Sequence, residues 1–365
     1  QGETEETIAR IWQDLLGLEQ VGRQDNFFEL GGHSLLAVQF VARLNRGLGA
    51  DIALRLIFAH PTVRALASAI HESHALATHP NLVHIRAGDG GRPLFLVHEV
   101  TGEAMYIYRL TPWIDPQVPI YGLVMSEKDR VDEVETTIQT MATRYVAAIR
   151  TVQPEGPYRI AGWSFGGTLA YEIAHQLAAS DSLVESLFLF DTHAAYSDEW
   201  LHTVPDQFET TRIRVLEDRH AYSSQGTQEM LGVRASDWMS YEIPEYLDTW
   251  LNQLHGIRIP SPKISYESIW TLVKTARKSL RAAVAYSPPS LPIDVTLFTA
   301  EEECRDSSLG WSSVLQWNLL QVMSVPGDHY SMLNEPHVRV LGSRISELLA
   351  TRKALTGLST VPEQI

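Results

Sequence analysis

Apolar residues recur at spacings of three and four between residues 5 and 74, which predicts a small bundle of four short helices. A third short helix is predicted over 52–58, before Pro61, and Thr62 begins the fourth. The stripes of the first two helices consist of Ile8, Ile11, Trp12, Leu15, Leu16 and Leu18, and of Leu35, Leu36, Val38, Val41, Ala42 and Leu44. We therefore assign residues 1–75 to a helical domain and 76–91 to a linker that includes a candidate edge strand at 82–85.

Strands and helices alternate in the rest of the chain, which predicts a mostly parallel sheet with helices on both faces, over residues 92–355. The stretch 196–286 interrupts this alternation with helical sequence that contains Trp200, Trp238, Trp250 and Trp270, and we interpret it as an inserted lid. Packing within the insertion explains most of these tryptophans better than substrate contact does. Residues 356–365 form a tail. The strands are predicted at 94–98, 158–161, 183–190, 293–298 and 320–325, and the helices at 136–151 and 165–179.

Composition narrows the class of protein. The hydrophobic fraction is 44% and the charged fraction 20%, and no apolar run reaches the length of a membrane span or a signal peptide. A net charge of −15 argues against nucleic acid or a membrane surface as partner. The single Cys304 cannot form an internal disulfide, fits a cytoplasmic location, and is interpreted as an incidental thiol. Because the chain begins at Gln1 rather than Met, we expect it to be a piece of a longer protein.

Ser34 follows Gly31-Gly32-His33 and opens an apolar helix, where free amides and the helix dipole favour a phosphate group. The same serine could merely cap the helix. The longer segment 25–35, DNFFELGGHSL, resembles the phosphopantetheine attachment site of peptidyl carrier (thiolation) domains of nonribosomal peptide synthetases, a resemblance that extends over 5–70. It implies that Ser34 carries 4′-phosphopantetheine, and His33 fits carriers of amino acids or peptides.

A second serine lies in Gly162-Trp163-Ser164-Phe165-Gly166, between a predicted strand and a predicted helix. That context is the one required by the nucleophile elbow of α/β-hydrolases, where a sharp turn exposes the seryl oxygen. We therefore predict Ser164 to be a catalytic nucleophile.

Such a serine needs a histidine to accept its proton and a carboxylate to orient that histidine. Asp191 ends a predicted strand and His329 follows the last one, in the hydrolase order Ser, Asp, His, and we predict both to be catalytic. Asp328 is a competing carboxylate, but its position next to His329 places it badly for the far ring nitrogen. His193 and His175 are minor alternatives to His329.

The oxyanion of an acyl-transfer intermediate needs two convergent amides, which we predict to be those of Phe165 and Val100. Residues from 92 to about 349 resemble the thioesterase domains that terminate nonribosomal peptide synthetases, members of the α/β-hydrolase superfamily. Relatives often have His-Pro followed by glycines after the first strand, where this chain has His98-Glu99-Val100-Thr101-Gly102-Glu103. Glu99 and Glu103 could bind a substrate amine, but we interpret this loop as solvated.

Together the resemblances imply a terminal carrier and thioesterase pair, with no metal site. An acyl or peptidyl thioester on the arm of Ser34 would pass to Ser164 and leave by hydrolysis or cyclisation. The implied partners are upstream adenylation and condensation modules, a phosphopantetheinyl transferase and the thioester substrate. Other readings are release by coupling two acyl units in a short adenylation–carrier–thioesterase synthetase, an inactive docking module, and a stand-alone editing thioesterase.

Overall fold

The computed structural model describes residues 2–32, 36–37, 40–41, 43–44, 56–57, 60–76, 79–131, 136–203, 266–302 and 307–358. Several sequence predictions fall outside these ranges: His33 and Ser34, most of the third helix, residues 204–265 of the lid, Cys304 and residues 359–365 of the tail. The chain divides into two compact units, Gln1–Leu76 with Glu199–Lys274, and Ala77–Asp198 with Thr275–Ile365. Each unit is described separately.

The first unit contains helices α1 (Glu3–Leu16) and α2 (Val63–Leu76). On α1 the predicted stripe is confirmed, because Ile8 and Trp12 are fully buried. Gly17 ends this helix in the left-handed conformation, with φ of 69°. At the start of α2, the Thr62 hydroxyl accepts a hydrogen bond from the Ala65 amide at 3.2 Å, which is an N-terminal cap.

The second predicted helix is described only in part, and its buried face differs from the predicted stripe. The described residues of this helix that are buried follow one another at spacings of three, one and three: Ala37, Phe40, Val41 and Leu44. Leu36, which belongs to the predicted stripe, is only partly buried. The Phe40 ring contacts Trp12 with 6.0 Å between ring centroids. The predicted stripe omits Phe40, which is the largest apolar residue at the correct spacing.

The second unit contains a seven-stranded sheet in the order β1-β3-β2-β4-β5-β6-β7. Only the β1–β3 pair is antiparallel, which confirms the mostly parallel sheet. Every residue of β2, β4 and β6 is buried, as expected when both faces of a sheet are covered. The strands are β1 (Leu82–Arg86), β2 (Leu94–Val97), β3 (Ile120–Leu123), β4 (Tyr158–Trp163), β5 (Val184–Phe190), β6 (Val295–Ala300) and β7 (Leu320–Val325).

Two strands change the sequence interpretation. The strand β3 was not predicted; it has four residues, lies between β1 and β2 and contains Gly122. The candidate edge strand at 82–85 is present as β1, so this part of the presumed linker belongs to the sheet.

The helices after β2 in the chain are α3 (Met105–Leu110), α4 (Glu127–Val131), α5 (Ile138–Val152), α6 (Phe165–Ala179), α7 (Tyr266–Val284) and α8 (His337–Leu358). Residues 266–274 of α7 belong to the first unit and the rest of this helix to the second. Helices α5 and α6 correspond to the two that the sequence predicts. No helix among the described residues is long and apolar enough to cross a membrane.

The strand order positions the site. From β2 the chain passes to β3 on one side, and β4 then lies on the other side of β2. The carboxyl ends of β2 and β4 therefore flank a switch point, which is where open α/β sheets bind their ligands. Val97, the last residue of β2, pairs with Gly162 near the end of β4, so the segments that follow these strands begin side by side.

Candidate active site at the carboxyl end of the sheet

Ser164 occupies the sharp turn between β4 and α6. Its backbone has φ of 53° and ψ of −124°, a conformation that non-glycine residues rarely adopt. Two hydrogen bonds hold the turn: the Ser164 amide donates to the Phe190 carbonyl, and the Gly167 amide donates to the Ser164 carbonyl, both at 2.9 Å. This geometry is the expected nucleophile elbow.

The glycines beside Ser164 are required by close approach. A Cβ atom at Gly162 would lie 2.1 Å from the Gly166 carbonyl oxygen, and one at Gly166 would lie 2.4 Å from the His98 carbonyl oxygen. The residue with positive φ in this turn is Ser164 itself rather than a glycine. The glycines instead allow α6 to begin directly against β2 and β4.

His329 connects Ser164 to Asp191. Its Nε2 lies 3.0 Å from Ser164 Oγ, and its Nδ1 lies 2.6 Å from Asp191 Oδ2. The other carboxylate oxygen of Asp191 accepts the Ala300 amide at 3.0 Å, which fixes the carboxylate at the ends of β5 and β6. The structure thus brings together the three side chains that the sequence predicts.

The alternatives to these residues have other contacts. Asp328 Oδ1 accepts the amides of Tyr330 and Ser331, at 2.9 Å and 2.7 Å, so its carboxylate shapes the turn that carries His329. His175 lies on α6 and pairs with Glu172 at 3.4 Å.

Asp191 has the electrostatics of a histidine partner. Burial alone would raise the pKa of its carboxyl, but the hydrogen bond and charge of His329, with the Ala300 amide, outweigh burial and lower it below its usual value. Asp191 is therefore a carboxylate near neutral pH and holds the proton of His329 on Nδ1. In that tautomer Nε2 is free to accept the proton of Ser164.

Two aromatic residues that the sequence analysis did not single out position His329. The Trp163 indole N–H donates to the His329 carbonyl at 3.1 Å, and the two rings lie 5.1 Å apart. The Tyr330 ring packs edge-on to His329 at 5.0 Å. Both residues adjoin a predicted catalytic residue in the chain, and that proximity was the available signal.

Tyr196 is a further neighbour of the serine that was missed. Its side chain is buried, and burial raises its pKa to about 12, while the nearby hydroxyls of Thr168 and Ser164 lower the pKa in part. Its phenol therefore stays neutral and lies beside the nucleophile.

Val100 lies in the loop that follows β2. Among the amides of residues 98–102, all within the described part of the chain, only that of Val100 makes no hydrogen bond. Phe165 opens α6, where first-turn amides lack acceptors within the helix. The two predicted oxyanion donors thus belong to segments that start side by side on β2 and β4.

The interpretation of the loop after β2 as solvated is wrong. Glu99 is 1% exposed, and its carboxylate accepts the Thr101 amide at 2.7 Å together with the Thr101 hydroxyl. Glu103 forms an ion pair with Arg130 at 2.8 Å. Both carboxylates bind groups of the protein itself, so neither is available to bind a substrate amine.

His98, the first residue after β2, has a structural role at the base of this loop. It is fully buried between the Glu99 carbonyl, 2.6 Å from Nδ1, and the Tyr145 hydroxyl, 2.5 Å from Nε2. Burial lowers its pKa to about 4, so the ring is neutral near pH 7. Its Nδ1–H donates to the carbonyl, and Nε2 accepts from the phenol.

The chain matches two protein-family models, one over most of the sheet and the candidate active site and one over the N-terminal helices. Residues 92–346 match the model of the thioesterase domain. The chain belongs to the thioesterase family. In this thioesterase, residues 6–70 also match the model of the phosphopantetheine attachment site, so a carrier domain precedes the sheet in sequence.

Proteins similar to this thioesterase include large synthetases and synthases. Malpibaldin synthetase of Mortierella alpina is 37% identical over 54% of this chain and 4% of its own length. The dimodular nonribosomal peptide synthase of Bacillus subtilis is 36% identical over 52% of this chain and 8% of its length. Chondramide synthase cmdD of Chondromyces crocatus is 28% identical over 99% of this chain and 9% of its length. The thioesterase therefore spans less than a tenth of each of these relatives.

Solved structures agree on the fold. The NocB thioesterase domain, in covalent complex with a fluorophosphonate nocardicin G analogue, has a TM-score of 0.50 at 27% identity, over 73% of this chain and 99% of that chain. A holo four-domain nonribosomal peptide synthetase bound to AMP and glycine has a TM-score of 0.53 at 24% identity, over 99% of this chain and 26% of that chain. The α/β-hydrolase fold expected from the sequence is confirmed.

The described residues that precede the carrier attachment position are held against the helical core of the first unit. Gly32 packs so closely on Phe27 that a Cβ atom would lie 2.4 Å from the Phe27 ring, and its amide donates to the Phe27 carbonyl at 2.8 Å. Phe27 is in turn tied to the start of α2 through the Pro61 carbonyl at 2.8 Å. The segment before residue 34 is thus anchored to the helical core, and helical residues resume at Leu36.

Proposed function

We propose that this chain releases an acyl or peptidyl group from a nonribosomal peptide synthetase. The cargo is held as a thioester on phosphopantetheine at Ser34, is transferred to Ser164, and leaves by hydrolysis or cyclisation. The observation that carries the proposal is the continuous contact from Ser164 through His329 to Asp191. We assign these residues as nucleophile, general base and orienting carboxylate.

In the first step, Ser164 Oγ forms a bond to the thioester carbon while its proton passes to His329 Nε2. The amides of Phe165 and Val100 donate to the oxyanion. As the carbon–sulfur bond breaks, His329 gives its proton to the departing sulfur. The phosphopantetheine arm, when attached, supplies the thiol that carries the acyl group.

In the second step, His329 takes a proton from the incoming nucleophile and returns it to Ser164 Oγ as the ester bond breaks. Water as nucleophile gives a free acid, and an amine or hydroxyl of the cargo gives a ring. The Trp163 and Tyr330 contacts hold His329 in one orientation through both steps. Asp191 remains ionised throughout and stabilises the charged imidazole.

The partners in this proposal are upstream adenylation and condensation modules, a phosphopantetheinyl transferase and the thioester substrate. Adenylation and condensation modules load and extend the cargo, which the synthetase relatives and their greater length support. A phosphopantetheinyl transferase modifies Ser34. The single cysteine of the chain supports a cytoplasmic setting for these steps.

Two labelling experiments test the assignment. With coenzyme A and a phosphopantetheinyl transferase, the parent should gain the mass of phosphopantetheine and Ser34→Ala should not. An alkyl fluorophosphonate should label the parent and Ser34→Ala but leave Ser164→Ala unlabelled. A modified Ser34→Ala would overturn the carrier assignment, and a labelled Ser164→Ala would overturn the nucleophile.

A further inference from the structure

The loop after β2 is built around a buried carboxylate. Glu99 is 1% exposed, and both oxygens of its side chain accept from Thr101, Oε2 from the amide at 2.7 Å and Oε1 from the hydroxyl. The Glu99 backbone closes the same turn, because its carbonyl accepts the Gly102 amide and its amide donates to the Glu103 carbonyl, both at 3.0 Å.

The carbonyls on the other side of the loop are also fixed. Arg130 of α4 donates to the carbonyls of Thr101 and Gly102 at 3.2 Å and 3.0 Å, and the Met125 amide donates to Gly102 at 3.1 Å. The backbone of Thr101 is thus held on both sides: Glu99 accepts its N–H, and Arg130 donates to its carbonyl. Only the Val100 amide, one residue earlier, is left without an acceptor among residues 98–102.

We infer that Glu99 is a positioning residue for acyl transfer, whose buried carboxylate holds Thr101 so that the Val100 N–H stays directed at the acyl oxygen on Ser164. This inference rests on the function proposed above. The turn is thus shaped by a side-chain acceptor, the Glu99 carboxylate.

The hydrogen-bond partners of Glu99 support a role in geometry rather than in proton transfer. Burial raises the pKa of Glu99 to about 7, although the two hydrogen bonds from Thr101 oppose this rise. The titratable and charged groups that face it are Glu103 on the same loop, Tyr106 and Arg109 on α3, and Arg130 on α4. Neither oxygen of Glu99 has a hydrogen bond to Ser164 or His329, which separates it from the proton path.

The arrangement predicts which substitutions preserve it. Glutamine at position 99 can accept the Thr101 amide through its carbonyl and donate its NH₂ to the Thr101 hydroxyl. Alanine can do neither, which leaves the Thr101 amide buried and unpaired. Glu99→Gln should therefore preserve the hydrogen bonds to Thr101 that Glu99→Ala removes.

The test compares steady-state hydrolysis of p-nitrophenyl butyrate by full-length Glu99→Ala, Glu99→Gln and Glu172→Ala. Glu172 is a matched control, because it is a buried, hydrogen-bonded glutamate on α6 whose carboxylate bonds to Gln176 and Tyr286. We expect Glu99→Ala to lower kcat about 10- to 100-fold with little change in KM, less than complete loss of an oxyanion donor, and Glu99→Gln to stay within about threefold of the parent. Folded Glu172→Ala should retain the parental kcat.

A tetrahedral probe provides the second readout. An alkylboronic acid that adds to Ser164 should bind Glu99→Ala more weakly by the same factor as the loss of kcat, because its oxygen needs the same amides. An unchanged kcat and boronate affinity in folded Glu99→Ala would overturn the inference. If that variant does not fold, Thr101→Ala replaces it and should lower kcat about 3- to 10-fold; parental kcat there would overturn the inference equally.

Ser164→Ala, measured in parallel, separates the inference from the proposed function. If Ser164→Ala keeps its turnover, the proposed function is wrong. If turnover requires Ser164 but not the Glu99–Thr101 contact, only the role of Glu99 is wrong.

Discussion

Trp163 holds the backbone of His329: its indole N–H donates to the His329 carbonyl at 3.1 Å, and its ring lies 5.1 Å from the imidazole. The residue immediately before the nucleophile thus fixes the loop that carries the base. Ser164 and His329 cannot drift apart without breaking this contact.

Trp163→Phe should keep the ring packing and lose the hydrogen bond. Since such a bond contributes about 1 kcal/mol, we expect kcat to fall about 3- to 10-fold while fluorophosphonate still labels Ser164. Steady-state kinetics with p-nitrophenyl butyrate measures the change. Tyr106→Phe is the control, because it removes a buried hydroxyl that donates to Val97 and leaves the Tyr106–Trp163 ring contact in place. Parental kcat in Trp163→Phe would show that the hydrogen bond does not position His329.

Asp191→Asn should lower kcat about 1,000- to 10,000-fold. An amide at this position can donate to His329 Nδ1 and so favours the tautomer that carries the proton on Nε2, where it cannot accept from Ser164. Asp328→Asn is the matched control, since its side-chain oxygen can still accept the amides of Tyr330 and Ser331. Equal losses in the two variants would contradict the assignment of Asp191 as the orienting carboxylate.

Gly166→Ala should destabilise the unit that contains the sheet. Its Cβ would meet the His98 carbonyl oxygen at 2.4 Å, a backbone contact that cannot move without displacing β2. We expect a loss of about 1 to 3 kcal/mol in the free energy of unfolding, measured by urea denaturation. Gly91→Ala has no atom within 4 Å of its new Cβ and should be neutral. A Gly166→Ala variant as stable as the parent would mean that α6 does not pack directly on β2.

Glu99 should make stability depend on pH. Its pKa is raised from 4.5 to about 7 by burial, so the folded state binds its proton more tightly than the unfolded state does. The resulting stabilisation is complete below about pH 4.5 and is lost as pH rises through about 7. Relative to Glu99→Gln, the parent should therefore lose about 2 to 4 kcal/mol in free energy of unfolding between pH 4.5 and pH 8. A difference between the two proteins that does not change with pH would contradict the buried, protonatable Glu99.

Much of this structure can be predicted from sequence because its signals are local. Ser164, Asp191 and His329 each follow a strand, and residues at the carboxyl ends of parallel strands meet at one edge of a sheet. The continuous apolar run 94–97 predicts β2, whereas β3, which is equally short, contains Gly122 and was missed. Short strands of this kind are specified by their neighbours rather than by their own pattern.

The errors concern tertiary context. Glu99 reads as a solvated loop residue, because the sequence does not show that Thr101 will supply both of its donors in the interior. The roles of Trp163 and Tyr196 likewise depend on chain segments that approach only after folding. The sequence does not show which polar side chains will be buried, because burial depends on how the surrounding segments pack after folding.

The most direct test of the central claim follows a defined cargo from carrier to product. Octanoyl-coenzyme A and a phosphopantetheinyl transferase load the octanoyl arm onto Ser34, and intact-protein mass spectrometry follows the octanoyl mass over time in the parent, Ser164→Ala and Asp191→Asn. We predict that the parent loses the octanoyl mass and releases octanoic acid, that Asp191→Asn does so far more slowly, and that Ser164→Ala keeps its cargo. Loss of the octanoyl group from Ser164→Ala at the parental rate would contradict the transfer of cargo to this serine.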